Sequence, residues 1–378
     1  MRKTLMVLAG LWSLFAAAAA QGQGTWSTAA LSVGRDELAA TTVGNYAIFG
    51  GGWVYPSGVK ANVDIFDAGT GQWSTANLSV ARSQLGATSV GNYALFGGGY
   101  DWFASSCKNT VDIFNASTQH WSTAALSVAR YSMGATTVGN YALFGGGYRS
   151  GGYSNAVDIY NGGTGQWSTA ALSQARSSLA ATTVGDYALF GGGSNSSGYS
   201  NAVDIFNAGT GQWTTAALSQ ARGVLAATSV GNYALFGGGS NSSGYSNAVD
   251  IFDAGTGQWT TAALSQPRDW LAATSVGNCA LFGGGNYATS GTWSTGTVDI
   301  FNASTGQWMT TTLSLARAVL AATTVGDCAL FGGGGYRVGY SDTFVNNVDI
   351  FTIPEPATLA LLALGGAAIM RRRWAARR

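Results

Sequence analysis

The stretch that decides the fold is LAATTVGNYAIFGGG at residues 38–52, followed after a loop by VDIFDAGTGQW at residues 63–73. Its first part contains two short β-forming runs separated by Gly44-Asn45, a two-residue hairpin signal of the primed-turn type. Three glycines end the second run, VDIF predicts a third strand, and the strand after the next turn contains Trp73. One unit therefore predicts four short antiparallel strands, which we name A to D in chain order.

This unit recurs through most of the chain. Its tryptophan returns at spacings of 46 to 49 residues, a period typical of propellers and solenoids. Strand A is rich in Ala, Gly, Thr and Ser, which suits an innermost position where strands converge on an axis. We predict an all-β fold, a seven-bladed β-propeller of four-stranded antiparallel blades over residues 24–352. The seven tryptophans are Trp26, Trp73, Trp121, Trp167, Trp213, Trp259 and Trp308.

The phase of the repeat predicts how the ring closes. The first unit is a lone strand D with Trp26, and the last is a strand C at residues 348–351 with no tryptophan after it. The N-terminal strand would therefore complete the seventh blade and leave no long sheet edge exposed.

The repeated YALFGGG, variable loop, VDIFDAGTGQW and following Arg resemble the kelch repeat over residues 24–352. The resemblance implies a propeller like the central domain of galactose oxidase. The acid that follows the aromatic residue is kept only at Asp67 and Asp253, and Asn serves that turn equally well. Copper oxidation of galactose needs two histidine ligands, and this chain has one histidine. Sialic-acid chemistry is also disfavoured, because Glu37 is the one glutamate in the blades.

The two ends of the chain differ from the repeats. Residues 1–20 combine two basic residues, an apolar run and small residues, which predicts a secretory signal peptide. Residues 353–378 resemble the PEP-CTERM sorting signal of exported proteins from exopolysaccharide-producing Gram-negative bacteria. The resemblance implies transient membrane contact, an exosortase-type protease as partner, and a secreted or cell-surface location. The alternative is a weak tail anchor, since the apolar run reaches only about 21 Å across a roughly 30 Å core. The signal residues are Pro354, Glu355, Pro356, Arg371, Arg372 and Arg373.

Antiparallel strand order decides which loops share a face. The D-to-A and B-to-C loops lie on one face, and the A-to-B and C-to-D turns lie on the other. The B-to-C loops vary from 9 to 13 residues, so we call theirs the variable face and the other the constant face. Binding usually resides in variable loops on a rigid scaffold.

The charge of the chain excludes some classes of protein, and its distribution favours the variable face as the binding surface. Only 9% of residues are charged and the net charge is +1, which argues against disorder and nucleic-acid binding. Without the two ends, 11 basic and 16 acidic residues remain, and every basic residue falls on the variable face. Seven are D-to-A arginines that could form an anion-binding ring. The alternative is that each pairs with the Asp of a VDI segment, because a buried Asp needs a partner. These arginines are Arg35, Arg82, Arg130, Arg176, Arg222, Arg268 and Arg317.

The B-to-C loops supply the other candidate binding residues. Exposed aromatic rings suit the flat apolar faces of sugars or a protein interface, and the alternative is local loop packing. The cations are Lys60, Lys108, Arg149 and Arg337, and the aromatic candidates include Trp53, Trp102, Trp293 and Tyr336.

Other chemistry lacks its parts. His120 is expected in an exposed turn, and the GGG runs lack the Lys-Ser/Thr of a phosphate loop. Cys279 and Cys328 replace a strand-B tyrosine and predict buried free thiols, and Cys107 lies in a loop. We therefore expect no metal, no cofactor and no catalytic residue.

The sequence favours an exported, non-enzymatic module that binds extracellular polysaccharide or matrix components through the variable face. A protein–protein adhesion or matrix scaffold is the alternative. A sugar epimerase or lyase is the third possibility, and it would need an acid and a base at the channel mouth. The spare acids for that role are Asp36, Glu37, Asp269 and Asp342.

Overall fold

A computed structural model describes residues 24–289, 292–338 and 341–353. In these residues the regular structure is entirely β, and seven four-stranded antiparallel sheets form the blades of a ring. Each blade runs from strand A on the inside to strand D on the outside, so the predicted seven-bladed propeller is confirmed.

Strand bounds repeat closely from blade to blade. Strands A are Ala39–Val43, Gly86–Val90, Gly134–Val138, Ala180–Val184, Ala226–Val230, Ala272–Val276 and Ala321–Val325. Strands B are Tyr46–Gly50, Tyr93–Gly97, Tyr141–Gly145, Tyr187–Gly191, Tyr233–Gly237, Cys279–Gly283 and Cys328–Gly332. Strands C are Asn62–Asp67, Thr110–Asn115, Ala156–Asn161, Ala202–Asn207, Ala248–Asp253, Thr297–Asn302 and Asn347–Thr352. Strands D are Gln72–Asn77, His120–Ala125, Trp167–Ala171, Gln212–Ala217, Gln258–Ala263, Gln307–Thr312 and, for blade 7, Thr25–Ala30.

The ring closes as the repeat phase predicts. Thr25–Ala30 pairs antiparallel with Asn347–Thr352, which places Trp26 opposite Phe351. The innermost strands of blades 1 and 7 pack against each other like those of any two neighbouring blades. Closure leaves the two chain ends of the propeller in one sheet.

The hydrophobic core lies between neighbouring blades. One cluster joins Val43 and Ile48 of blade 1 to Phe96 and Phe114 of blade 2. Trp121 packs on this cluster with its ring centroid 5.1 Å from that of Phe114. The strand-D tryptophans are thus half-buried core residues at the outer edge of each interface. Each buried phenylalanine contributes about 1.5–3 kcal/mol, and the contribution recurs in every blade.

The triple glycines join one blade to the next as well as ending strand B. Gly52 has a φ of +118° and donates its N–H to the carbonyl of Arg82 in the next blade at 2.9 Å. A Cβ on the neighbouring Gly51 would lie 2.6 Å from that same carbonyl oxygen. Any larger residue would therefore push adjacent blades apart.

The constant face consists of short turns. Gly44 has a positive φ and Val43 pairs with Tyr46, so the predicted two-residue hairpin is confirmed. In the C-to-D turns the side chain of Asp67 accepts the Gly69 N–H at 2.8 Å, and Asn makes the same bond in other blades. The constant face therefore consists of short, similar turns, and the variation among loops is confined to the variable face, as predicted.

The described residues contain no helix that is long and apolar enough to span a membrane. Residues 1–20, predicted as a signal peptide, and residues 354–378 of the tail lie outside the described part of the chain.

Candidate functional site

The seven D-to-A arginines are structural, and the prediction that they bind an anionic ligand is wrong. Each is fully buried and pairs with the VDI aspartate of its own blade at 2.6–2.7 Å. The alternative prediction, that each arginine pairs with one of those aspartates, is correct. The pairs are Arg35–Asp64, Arg82–Asp112, Arg130–Asp158, Arg176–Asp204, Arg222–Asp250, Arg268–Asp299 and Arg317–Asp349.

Arg35 shows what these pairs do. Its Nε donates to the carbonyl of Gly51 at 2.7 Å, and its Nη1 donates to the carbonyl of Val33 at 2.9 Å. Asp64 accepts the Ser32 N–H at 2.7 Å with its second oxygen. Burial lowers the pKa of Arg35, and Asp64 opposes that shift. The pair therefore ties the D-to-A loop to strands B and C of its blade.

The four loop cations do lie at the surface of the variable face. Lys108 is 3.7 Å from Asp101, and Arg337 is 3.6 Å from Asp342. Lys60 donates to a serine hydroxyl of its own loop. Arg149 is exposed. Two of the four thus have a carboxylate within 4 Å, whereas Lys60 contacts only a neutral hydroxyl, so the charge of the loop cations is only partly neutralised.

The B-to-C segments are hairpins, whereas the sequence predicted loops. Each forms a two-stranded hairpin, here named a rim hairpin, that bridges to a D-to-A loop, as Trp53 does to Asp36. Together they surround the channel mouth. The rim hairpins are Trp53–Val54 with Gly58–Val59, Tyr100–Asp101 with Ser106–Cys107, Tyr148–Arg149 with Gly152–Tyr153, Ser194–Asn195 with Gly198–Tyr199, Ser240–Asn241 with Gly244–Tyr245, Asn286–Thr289 with Thr292–Ser294, and Gly335–Val338 with Ser341–Phe344.

Aromatic side chains of blades 1 to 3 contact one another in a continuous series, which we call the aromatic arc. Centroid distances in the series run from 4.7 to 6.4 Å. Trp102 is 43% exposed. Tyr336 is half-buried on blade 7, and the side chain of Trp293 lies outside the described residues. The arc comprises Trp53, Tyr100, Trp102, Phe103, Tyr131, Tyr148 and Tyr153.

A second ring, two residues after each buried arginine, surrounds the channel mouth. In this axial ring each N–H donates to the carbonyl of its counterpart in the preceding blade at 2.9–3.3 Å, and Glu37 closes the circle on Val319. All seven residues have a left-handed backbone, with φ between +51° and +57°. The axial ring is Glu37, Gln84, Ser132, Ser178, Val224, Trp270 and Val319.

The side chains of the axial ring are half-buried and divide into two arcs. Blades 1 to 4 contribute Glu, Gln, Ser and Ser, and blades 5 to 7 contribute Val, Trp and Val. They line an axial pocket of about 200 Å³. The remaining lining residues are apolar, namely Leu38, Leu85, Met133, Leu179, Leu225, Leu271 and Leu320. The pocket thus has a polar half and an apolar half.

Left-handed backbone makes these side chains costly. A residue with a Cβ destabilises the folded state by about 1–2 kcal/mol when it adopts this conformation. A β-branched residue such as Val224 is a pronounced outlier there. Glycine would adopt the same backbone without strain. The fold therefore carries strain at seven adjacent positions that surround one pocket, which points to a role for their side chains.

Glu37 is the most connected member of the ring. Its carboxylate accepts hydrogen bonds from the Ser83 hydroxyl at 2.7 Å and the Gln84 amide at 2.6 Å. The indole N–H of Trp102 donates to it at 3.1 Å. Ser132 in turn donates to Gln84 at 2.7 Å. The network links the polar half of the axial pocket directly to the aromatic arc.

Asp36 lines a neighbouring side pocket of about 350 Å³ with Tyr336, Arg337 and Asp342. One of its carboxyl oxygens is buried without a hydrogen-bond partner. Burial raises the pKa of Asp36 to about 8, and the charges of Glu37 and Asp342 add to the shift. Asp36 is therefore largely protonated at neutral pH. Burial also raises the pKa of Asp269, whose side chain accepts a hydrogen bond from the hydroxyl of Ser240 on the rim hairpin of the preceding blade.

The remaining candidate residues lie apart from this site. His120 is exposed at the start of a strand D, as expected. Cys107, Cys279 and Cys328 are free thiols, and the two that were predicted to be buried, Cys279 and Cys328, are half-buried. Within the described ranges, no group of three potential metal-binding side chains comes together.

The sequence interpretation missed the axial ring, apart from naming Glu37 as a spare acid. A usable signal was present, because the residue two positions after the repeated arginine differs among repeats that are otherwise nearly identical. Only ring closure shows that these residues are neighbours.

Comparison with known families identifies the C-terminus. Residues 352–373 match the family model described as the PEP-CTERM protein-sorting motif, which includes the predicted proline and arginine residues of the signal. The motif indicates an exported protein that is sorted to the cell surface or beyond by exosortase, a membrane protein. No curated protein matches the chain. The fold is consistent with the kelch resemblance, which stays a prediction, as does the N-terminal signal peptide.

Proposed function

We propose that this exported protein is a non-enzymatic binding module that holds extracellular polysaccharide in the cup formed by the aromatic arc and the axial pocket. The observation that carries the proposal is the axial ring, in which seven strained, non-glycine residues present different side chains to one pocket. Residues held in strained backbone conformations are concentrated at functional sites.

The aromatic arc supports a sugar polymer as the ligand. Half-exposed rings such as Trp102 and Tyr148 present flat apolar surface next to polar groups, which suits the C–H faces and hydroxyls of pyranose rings. The arc extends across three blades, and Trp102 within it is joined to the axial pocket by its hydrogen bond to Glu37. An extended chain could therefore contact several rings in succession.

A protein partner is the second candidate. Tyr55 is 70% exposed and Phe103 is 69% exposed, and both lie on rim hairpins of adjacent blades. Exposed aromatic residues are enriched in protein interfaces. In contrast, the acids of the mouth do not favour an enzyme, because Glu37 already accepts three hydrogen bonds and one oxygen of Asp36 is enclosed.

Binding to purified polysaccharides, measured by affinity electrophoresis, tests the proposal. Trp102→Ala removes the central ring of the arc and should weaken binding about tenfold, equivalent to about 1.4 kcal/mol. Met309→Ala is a matched control, because Met309 is 41% exposed on the outer strand D of blade 6, and the arc belongs to blades 1 to 3. The control should bind like the wild type.

If the wild type binds no polysaccharide, or if Trp102→Ala binds as well as the Met309 control, the proposal is wrong. Specific capture of another surface protein that is lost in Phe103→Ala would then support the second candidate.

A further inference from the structure

The axial pocket carries negative charge without a matching cation. None of its fourteen lining residues is lysine or arginine, and Glu37 is its one charged side chain. The three groups that donate to Glu37 are all neutral. Arg35, two residues before Glu37, is fully buried against Asp64.

The hydrogen-bonding capacity of the polar half is only partly used. A carboxylate can accept about four hydrogen bonds, and Glu37 accepts three from the protein. Gln84 donates to Glu37 and accepts from Ser132, so its orientation is set. A ligand hydroxyl could therefore donate to the open position on Glu37 without displacing a protein group.

The opposite half of the pocket is apolar. Val224, Trp270 and Val319 follow one another around the ring, and leucines lie next to them. A pyranose ring has the same division, with C–H groups on its faces and hydroxyls at its edge. A pocket of about 200 Å³ holds roughly seven waters at about 30 Å³ each, which is enough for one such ring.

We infer that the axial pocket binds one uncharged sugar ring of a neutral polysaccharide, and that Glu37 rejects uronic acids at this position. The inference rests on the proposed function and adds the chemical class of the ligand. A carboxylated sugar would place a second negative charge beside Glu37 in a partly desolvated pocket, where like charges repel more strongly than in water. Buried arginines cannot compensate, because each already has an aspartate partner.

Matched oligosaccharides test this selectivity. Hexamers of glucose, galactose and mannose are compared by calorimetry with hexamers of the corresponding uronic acids, which differ only at C6. We expect at least one neutral hexamer to bind tenfold or more tightly than its uronate partner. Glu37→Gln keeps the shape but removes the charge, and it should reduce this ratio below about threefold by strengthening uronate binding. Asp186→Asn is the matched control, because Asp186 is exposed on the constant face.

A second variant tests occupancy of the pocket. Trp270→Ala should weaken binding of the neutral hexamer about tenfold, with the fold checked by its thermal transition. If Glu37→Gln and Trp270→Ala both leave the affinities unchanged while Trp102→Ala still weakens binding, the inference is overturned and the proposed function stands. Equal binding of neutral and uronate hexamers by the wild type would also overturn it. If no hexamer or polymer binds, the proposed function itself fails.

Discussion

Two rings of seven residues, only two positions apart in each repeat, have opposite properties. The arginine ring has one residue type, full burial and an aspartate partner in every blade. The axial ring has five residue types, half-buried side chains and one pocket. The same D-to-A loop, with the same backbone conformation in every repeat, positions both rings. In a repeat protein, a residue present in every copy stabilises the fold, whereas a variable residue on the same backbone is free to serve binding.

The largest expected effect is the loss of one arginine from the buried ring. Arg176→Met leaves Asp204 buried without its partner and should destabilise the protein by about 3–5 kcal/mol. Urea unfolding measures the change. The double variant Arg176→Met with Asp204→Leu removes both charges and should recover most of the loss. If Arg176→Met instead keeps its stability but loses ligand binding, the arginine ring serves binding, and the distinction between the two rings is wrong.

A smaller effect concerns the pH dependence that Asp36 contributes. The folded state raises the pKa of Asp36 from 3.8 to about 8, so between these values the native state holds the proton more tightly than the unfolded chain. Its contribution to stability is therefore full below about pH 4 and is lost as the pH rises towards 8. Because Asp36 keeps part of its surface in water, we expect a loss on the order of 2 kcal/mol.

Asp36→Asn provides the comparison for this pH effect, since asparagine keeps the shape and does not titrate. The difference in free energy of unfolding between variant and wild type should grow in favour of the variant from pH 5 to pH 9. Glu37 and Asp342 are present in both proteins, so their own titration cancels in this comparison apart from their effect on the pKa of Asp36. A difference that does not change with pH would show that Asp36 is ionised in the fold.

The smallest effect tests strain in the axial ring. Val224→Gly should stabilise the protein by about 0.5 kcal/mol, because relief of the left-handed strain exceeds the entropy that glycine adds to the unfolded chain. Val224→Ala retains the Cβ and should bring no such gain. Thermal unfolding of the two variants measures the difference. If the glycine variant is less stable than the alanine variant, a Cβ costs nothing on this left-handed backbone and the strain argument fails.

Much of the fold could be predicted from the sequence, because each feature depended on residues close together in the chain or on the period of the repeat. The Gly44-Asn45 hairpin, strand order, ring closure through Trp26 and the turn role of Asp67 are all local or periodic. Pairing of the arginines with the VDI aspartates was also foreseen as an alternative. Burial decided between the two interpretations, since an arginine with no exposed surface cannot reach a ligand.

The rim hairpins and the axial ring were not predicted. Short, Gly- and Ser-rich B-to-C segments show little alternation, and their pairing depends on bridges such as that from Asp36 to Trp53. Positive φ at Val224 or Trp270 contradicts the intrinsic preference of those residues, so no local pattern predicts it. Hydrogen bonds from the neighbouring blades impose it.

The sequence by itself determined the seven-bladed propeller, its closure by the N-terminal strand and the sorting motif at its C-terminus. These follow from a regular period and from local signals, both of which are visible in the linear order of residues. Only the tertiary structure decided which residues form the binding surface. Glu37 and Val319 are far apart in the chain, yet ring closure makes them hydrogen-bonded neighbours in a pocket whose polar and apolar halves exist only in three dimensions.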